Sequence, residues 1–243
     1  MDKYFEIKTL RATQNPQQLV WLAAHQDYCE DPVSSEKELA KVPDEATAGE
    51  KIIQMLLAGG RGHFGCFEHP QITLNASYFP HSVMQQLRTH RISVSFDVQS
   101  GRYTGQRIID VATGKRDVEE VFYVRPVKNY RDRKGKRYHY SDQQRTEDLG
   151  WCLDLAELYQ RRINQGVSEE HARGLIPFDV RQHFVVSFNA RSLMHILDLR
   201  WKADAQPECQ QFSTLLFVEF EKWMPAIARW YEGNRGRKAR LSP

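Results

Sequence analysis

The chain has 243 residues, 27% charged and 41% hydrophobic, ordinary values that allow one large domain or two small ones around a substantial core. A net charge of +3 is too small to argue for a polyanionic partner, no apolar run approaches the roughly 20 residues that span a bilayer, and the charged start M-D-K-Y-F-E-I-K does not read as a signal peptide. Four cysteines (Cys29, Cys66, Cys152, Cys209) without C-x-x-C pairing suggest neither a zinc site nor a disulfide framework, so a cytoplasmic location is expected.

In chain order, Pro16 to Tyr28 carries Leu19, Val20, Leu22 and Ala23 at helical spacing, whereas the polar, proline-punctuated Glu30 to Asp44 reads as a loop. Ala46 to Leu57 sets Ile52, Ile53, Leu56 and Leu57 on one face of a helix closed by Gly59-Gly60. Ile72 to Tyr78 has a strand pattern, and Pro80 to Leu87 reads as the first turns of a helix with proline early. Ile92, Val94, Phe96 and Val98 alternate with polar residues, the period of a half-buried strand. Val118 to Val124 is strand-like, and Arg131 to His139 is a charged, turn-rich part of an insertion near residues 114–140.

Ser141 and Gln144 resemble a capping box ahead of a long helix that ends at Gly166. Phe184 to Phe188 is strand-like or buried, and Ala190 to Arg200 is helical. Glu208 to Glu232 is a second long helix, kinked at Pro225 and stopped at Gly233. A few strands among long helices, with no internal repeat, predict one α+β domain over residues 1–243, a small mainly antiparallel sheet packed against long helices. A doubly wound parallel sheet is disfavoured, because no glycine-rich turn follows a strand.

Two stretches carry chemistry. Gln86 to Arg107 gathers Arg88, His90, Arg91, Arg102 and Arg107 around hydroxyls and amides, with Asp97 its only acid. Guanidinium forks bind phosphates and carboxylates bidentately, so this stretch suits an anionic, planar ligand. Arginine neighbours should keep the His90 ring neutral. Ser100 lacks a G-x-S-x-G elbow and is better read as a ligand hydrogen-bonding group than as a nucleophile. The second stretch is N-A-R-S-L-M-H-I-L-D-L-R, Asn189 to Arg200, where Arg191 and His195 share a helical face among apolar residues. Its polar groups need ligands or ion pairs, for which Asp198 or Asp204 are candidates. The basic runs Arg131 to Arg137 and Arg235 to Arg240 read as solvated faces.

At these stretches the sequence resembles the flavin-dependent thymidylate synthases. That family carries an Arg-His-Arg triplet followed by a spacer and a serine; here eight residues separate Thr89-His90-Arg91 from Ser100-Gly101-Arg102-Tyr103. F-E-H at Phe67 to His69, A-R-x-L-I-P at Ala172 to Pro177, and the Asn189 to Arg200 stretch followed by Ala205-Gln206 and Glu208 complete four motifs in the family's order, over about residues 50 to 230. Thr89 stands where the first arginine is expected, with Arg88 one place earlier, and either Asp97 or Val98 takes the family's acidic position.

The resemblance implies FAD binding by His69, Thr89 or Arg88, His90, Arg91, Asn189, Arg191 and His195. It implies deoxyuridine monophosphate (dUMP) binding by Gln86, Arg88, Asp97 or Val98, Ser100, Gly101, Arg102, Arg173 and Arg200, with Arg200 polarising the pyrimidine as the catalytic residue. It further implies reductive methylation of dUMP, with 5,10-methylenetetrahydrofolate as one-carbon donor and NADPH as reductant of FAD, in a homotetramer with active sites shared at subunit interfaces. A nucleic-acid-binding protein using residues 86–107 is the alternative, though no helix-turn-helix or RNA-binding signature accompanies the arginines. A flavoprotein reductase with another acceptor is a third reading.

Overall fold

Alternating apolar residues on four chain segments build one antiparallel sheet. The computed structural model describes residues 1–132 and 134–238. Its strands are β1 (Glu6–Ala12), β2 (Gln71–Pro80), β3 (Val94–Val98), β4 (Lys128–Arg131), β5 (Arg137–Tyr140) and β6 (Arg181–Asn189). The main sheet runs β1-β2-β6-β3 with antiparallel neighbours, and β4 and β5 form a separate hairpin.

Register explains the sheet's two faces. Leu74 pairs with Val186 and Val186 with Phe96, and the neighbouring rows Ile72–Phe188–Val94 and Ala76–Phe184–Val98 share that face. All these β2 and β6 residues are buried, and the β3 ones are partly buried against the same core. The period of two puts Thr73, Ser187 and Ser95 on the other face, where the Thr73 and Ser187 hydroxyls are bonded at 2.9 Å. Asp97 lies on this polar face and is exposed, opposite in direction to Val98. The expected alternation starts only at Val94: Ser93 has a φ of 51°, and Ile92 before it is 80% exposed.

Helices α1 (Pro16–Gln26), α2 (Glu36–Leu39), α3 (Glu45–Ile52), α4 (His81–Leu87), α5 (Gln106–Ala112), α6 (Val118–Val121), α7 (Asp142–Asn164), α8 (Glu169–Ala172), α9 (Ala190–Arg200), α10 (Pro207–Trp223) and α11 (Pro225–Asn234) complete the chain. The first core joins the sheet's apolar face to α1, α3, α4, α9, α10 and α11, and the Phe212 ring meets Phe79 edge-on at 5.1 Å. A smaller core lies under α5, α6 and α7, around Val111, Phe122, Cys152 and Tyr159. Gly105 starts α5 so close to α7 that any Cβ there would collide with the Tyr159 hydroxyl. This α+β arrangement, a small antiparallel sheet against long helices, is the architecture predicted above.

Local differences have local causes. The predicted loop Glu30 to Asp44 holds the single turn α2, capped by the Ser35 side chain. The helix expected over Ala46 to Leu57 changes to a π turn at Ile53–Leu57, then ends at Gly59 and Gly60, both at positive φ. Val118 to Val124 is not a strand: Asp117 caps the turn α6, and only a bridge from Phe122 to Val180 is sheet-like. The insertion contains the hairpin β4–β5, turning through Gly135 at φ 84°. Pro225 separates two helices rather than kinking one, because Met224 before it takes φ −133°, ψ 71°.

Arg235 is no solvated residue, since it pairs with buried Asp198 at 2.6 Å. Arg133 of the first basic run, and Ala239 and Arg240 of the second, lie outside the described residues.

Candidate active site

Helices α4 and α9 begin where paired strands end and so run out from one edge of the sheet. Pro80 closes β2 and caps α4, while Asn189 closes β6 and caps α9, its Oδ1 accepting the Ser192 N–H at 2.7 Å. Asn189 is buried, spends its oxygen on this cap and lines neither of the two clefts described below. On α9, Leu193, Met194, Ile196 and Leu197 enter the core, leaving Arg191, His195 and Arg200 half-buried beside α4. The Ser192 hydroxyl donates to the Ile92 carbonyl at 2.7 Å and ties α9 to the chain after α4.

Arg200 joins the two stretches. Its Nε donates to His90 Nε2 at 3.1 Å, its Nη1 to Gln86 Oε1 at 3.0 Å, and its Nη2 to the Gln86 carbonyl and the Thr89 hydroxyl at 3.1 and 3.2 Å. His90 in turn meets His195, Nδ1 to Nε2, at 3.0 Å. Burial first, then Arg200 and His195, push the His90 imidazolium down to about 4. His90 is therefore neutral at physiological pH, as expected, but burial and Arg200 cause it rather than the flanking arginines. Burial also lowers His195, helped by Arg200 and Arg191 and opposed by Asp198. A guanidinium only donates, so His90 Nε2 is bare and Nδ1–H points at His195.

Two clefts flank this junction. The first, about 460 Å³, is lined by Glu68, Thr89, His90, Arg91, Arg191 and His195 among others. Arg191 is held there by Glu68 at 2.6 Å. His69, one residue past Glu68, is exposed and does not line this cleft. The second, about 560 Å³, brings together Arg88, Val98, Ser100, Gly101, Arg107 and Arg173. Arg102 stands beside it, linked to Arg173 through Glu170 at 3.8 and 3.9 Å.

Consecutive residues at the end of α4 thus face different clefts, Thr89 the first and Arg88 the second. Arg88 does not line the first cleft with His90. Asp97 is excluded from the second cleft by strand parity, and Val98 lines it. Gln86 and Arg200 line neither cleft with Ser100 and Arg173, being tied instead to Thr89 and His90.

Arg107, to which the sequence motifs assign no role, supplies the second cleft with a half-buried cation. Its Nη1 donates to the Arg181 carbonyl at 2.6 Å, its Nε has no hydrogen-bond partner among the described residues, and burial with nearby Arg116 pushes it down to about 10. The only signal in sequence is its nearness to the other arginines. Cys209 is buried and pushed up to about 12 by that burial, which disfavours a thiolate nucleophile. Among the described residues His25, Cys29 and Glu38 also cluster within 4.8 Å, but Lys41 already holds both Glu38 oxygens at 2.7 Å.

Known proteins match this chain over most of its length. A family model described as thymidylate synthase complementing protein matches residues 8–226. A protein of Haloarcula marismortui named flavin-dependent thymidylate synthase is 34% identical, covering 98% of this chain and 100% of that protein. A protein of the same name from Pseudothermotoga lettingae is 33% identical over 76% of this chain and 78% of its own length.

Among solved structures, a UMP/dUMP methylase, PolB, from Streptomyces cacaoi bound with 5-Br dUMP superposes with a TM-score of 0.74 at 22% identity, covering 98% of this chain and 97% of that one. Thymidylate synthase X of Helicobacter pylori with FAD and dUMP gives 0.63 at 19% identity, covering 88% and 92%. At such identities the two structures show a shared fold.

Proposed function

The chain belongs to the flavin-dependent thymidylate synthase family, and on that premise we propose that it converts dUMP to dTMP by reductive methylation. The observation that carries the reading is the junction at Arg200, where one guanidinium ties the arginine-rich end of α4 to the buried face of α9 between two cationic clefts.

The residues of the first cleft fit FAD. Arg91 and Arg191 offer forks to a diphosphate, and the neutral His90–His195 pair and the Thr89 hydroxyl offer hydrogen bonds to a planar ring without adding charge. When bound, FAD supplies the hydride that, with the one-carbon unit of 5,10-methylenetetrahydrofolate, becomes the methyl group, the electrons coming from NADPH.

The chain's own residues bind, orient and polarise. In the second cleft Arg88, Arg107 and Arg173 face a phosphate, with the Ser100 hydroxyl and the Gly101 backbone beside them. Arg200, held in plane by His90 and by both oxygens of Gln86, presents its one remaining Nη1–H to the carbonyl edge of a uracil and stabilises negative charge on its ring nitrogen. These interactions strengthen as the ring becomes an anion, so they act on the transition state more than on bound substrate.

One chain divides the expected dUMP residues between the Arg200 junction and the second cleft. A homotetramer, in which one subunit's second cleft faces another's Arg200, would reunite them. The two cores meet where Val180 leads into β6, which supports reading residues 1–243 as one domain with the 114–140 segment as part of it. No helix among the described residues is long and apolar enough to cross a membrane. The four cysteines are free thiols, which favours a reducing, cytoplasmic setting. The arginine stretch is divided between two clefts, and nothing favours the nucleic-acid reading.

The test is product formation. Protein incubated with dUMP, 5,10-methylenetetrahydrofolate, NADPH and FAD should yield dTMP by mass spectrometry, and omission of FAD from stripped protein should stop it. Steady NADPH oxidation with no methylated nucleotide would overturn the assignment.

A further inference from the structure

A chain of amides leads from a buried carboxylate to Arg200, and its donor and acceptor directions all run one way. Glu208, in the first turn of α10, is 1% exposed. Its Oε1 accepts from the Tyr123 hydroxyl and Arg125 Nε, both at 2.9 Å, and its Oε2 from Arg125 Nη2 at 3.1 Å and Gln206 Nε2 at 2.7 Å. Burial alone would raise this carboxyl, but the Arg125 fork and the Gln206 amide outweigh it and keep it ionised. Tyr123 and Arg125 lie within the 114–140 segment, to which the sequence assigned no role.

A carboxylate can only accept, so Gln206 must turn its NH2 toward Glu208. Its Nε2 also reaches the Ser82 hydroxyl at 3.1 Å, which leaves its Oε1 for the Gln86 amide nitrogen. With its nitrogen so engaged, Gln86 points its oxygen at Arg200 Nη1, 3.0 Å away. Reversing Gln86 would set a donor against the guanidinium, and reversing Gln206 would set a donor against the Gln86 NH2 and so favour that reversal. We propose that Glu208 is a positioning residue of the active site, which acts through Gln206 to fix the direction of the Gln86 amide and thereby to hold Arg200. The inference deepens the functional reading above and rests on Arg200 acting there on the nucleotide.

A structural ion pair between Glu208 and Arg125 would predict only a stability effect, so the test reverses amide direction in one variant and restores both direction and net charge in a second. In Glu208→Gln the new oxygen is claimed by Arg125 and Tyr123, its NH2 faces Gln206, and both glutamines reverse. In the double variant Glu208→Gln with Gln206→Glu, the carboxylate at 206 accepts from both neighbours and restores Gln86. Gln206→Leu breaks the relay while leaving the Glu208–Arg125 pair intact, and covers the case in which Glu208→Gln fails to fold.

Flavin content, kcat and KM for dTMP formation, and melting temperature would be measured on wild type and all three variants. The relay predicts unchanged flavin content, a loss of about tenfold or more in kcat for Glu208→Gln and Gln206→Leu, and recovery of most of it in the double variant. Near wild-type kcat in Gln206→Leu, or a double variant no better than Glu208→Gln, would overturn it. Wild-type protein that makes no dTMP in the same assay would instead sink the functional reading itself.

Discussion

Arg200 Nε donates to His90 Nε2 across 3.1 Å, and that bond decides which nitrogen of His90 carries a proton. An imidazolium could not accept it, so this bond exists only while His90 is neutral. His90 is held down to about 4 from 6.5, so below pH 6.5 the unfolded chain binds a proton that the folded chain refuses. The stabilisation is complete above 6.5 and is lost as pH falls toward 4. By itself it is worth about 3 kcal/mol, and His195 and His183, both lowered first by burial, act in the same direction. Urea unfolding between pH 7 and pH 4 should show this decline, with a flatter profile for His90→Gln. Equal profiles would mean that His90 is not the titrating group.

Arg200→Ala would remove the N–H proposed to face the pyrimidine but none of the cationic groups lining the first cleft. It should keep FAD and lose about 10²- to 10³-fold in kcat, the range for one preorganised donor at a site of developing charge. Flavin content and dTMP formation measure the two effects separately. Loss of flavin from a folded protein would contradict the assignment.

Arg88 and Thr89 are neighbours in sequence but not in environment. Arg88→Ala should raise KM for dUMP and flatten the salt dependence of its binding while leaving flavin content unchanged. Thr89→Ala should instead loosen Arg200 and lower kcat. An Arg88→Ala protein that loses FAD would place Arg88 in the first cleft after all.

Arg181 is a structural cation. It is 1% exposed, pairs with Asp2 at 2.8 Å, and lies over the rings of Tyr4, Phe5 and Tyr123. Asp2→Ala should leave that charge buried without its counter-ion, costing about 3 kcal/mol. For a chain of this size the melting temperature should fall by roughly 6 to 12 °C, read by calorimetry. A shift under about 2 °C would mean that the Glu119 and Tyr78 carbonyls suffice for Arg181.

Helix α9 and the main sheet were legible because local signals there agreed with packing. Asn189 is a good cap, apolar residues follow at helical spacing, and Phe184 to Phe188 alternates as a buried strand does. Val118 to Val124 misled because its apolar residues suit either period over so short a run, and the Asp117 cap decided for the helix. The ion pair of Arg235 with Asp198 has no local signature, since the partners are 37 residues apart. The division of Arg88 and Thr89 between clefts was hidden for another reason. It depends on where α4 unwinds, and element ends are what sequence patterns fix least well.

The most direct measurement is the visible spectrum of the purified protein, loaded with FAD, before and after addition of dUMP. A flavin spectrum that shifts on adding the nucleotide is the predicted result, since both ligands would then share the site built around Arg200. A protein that stays colourless and cannot be loaded with FAD would contradict the account.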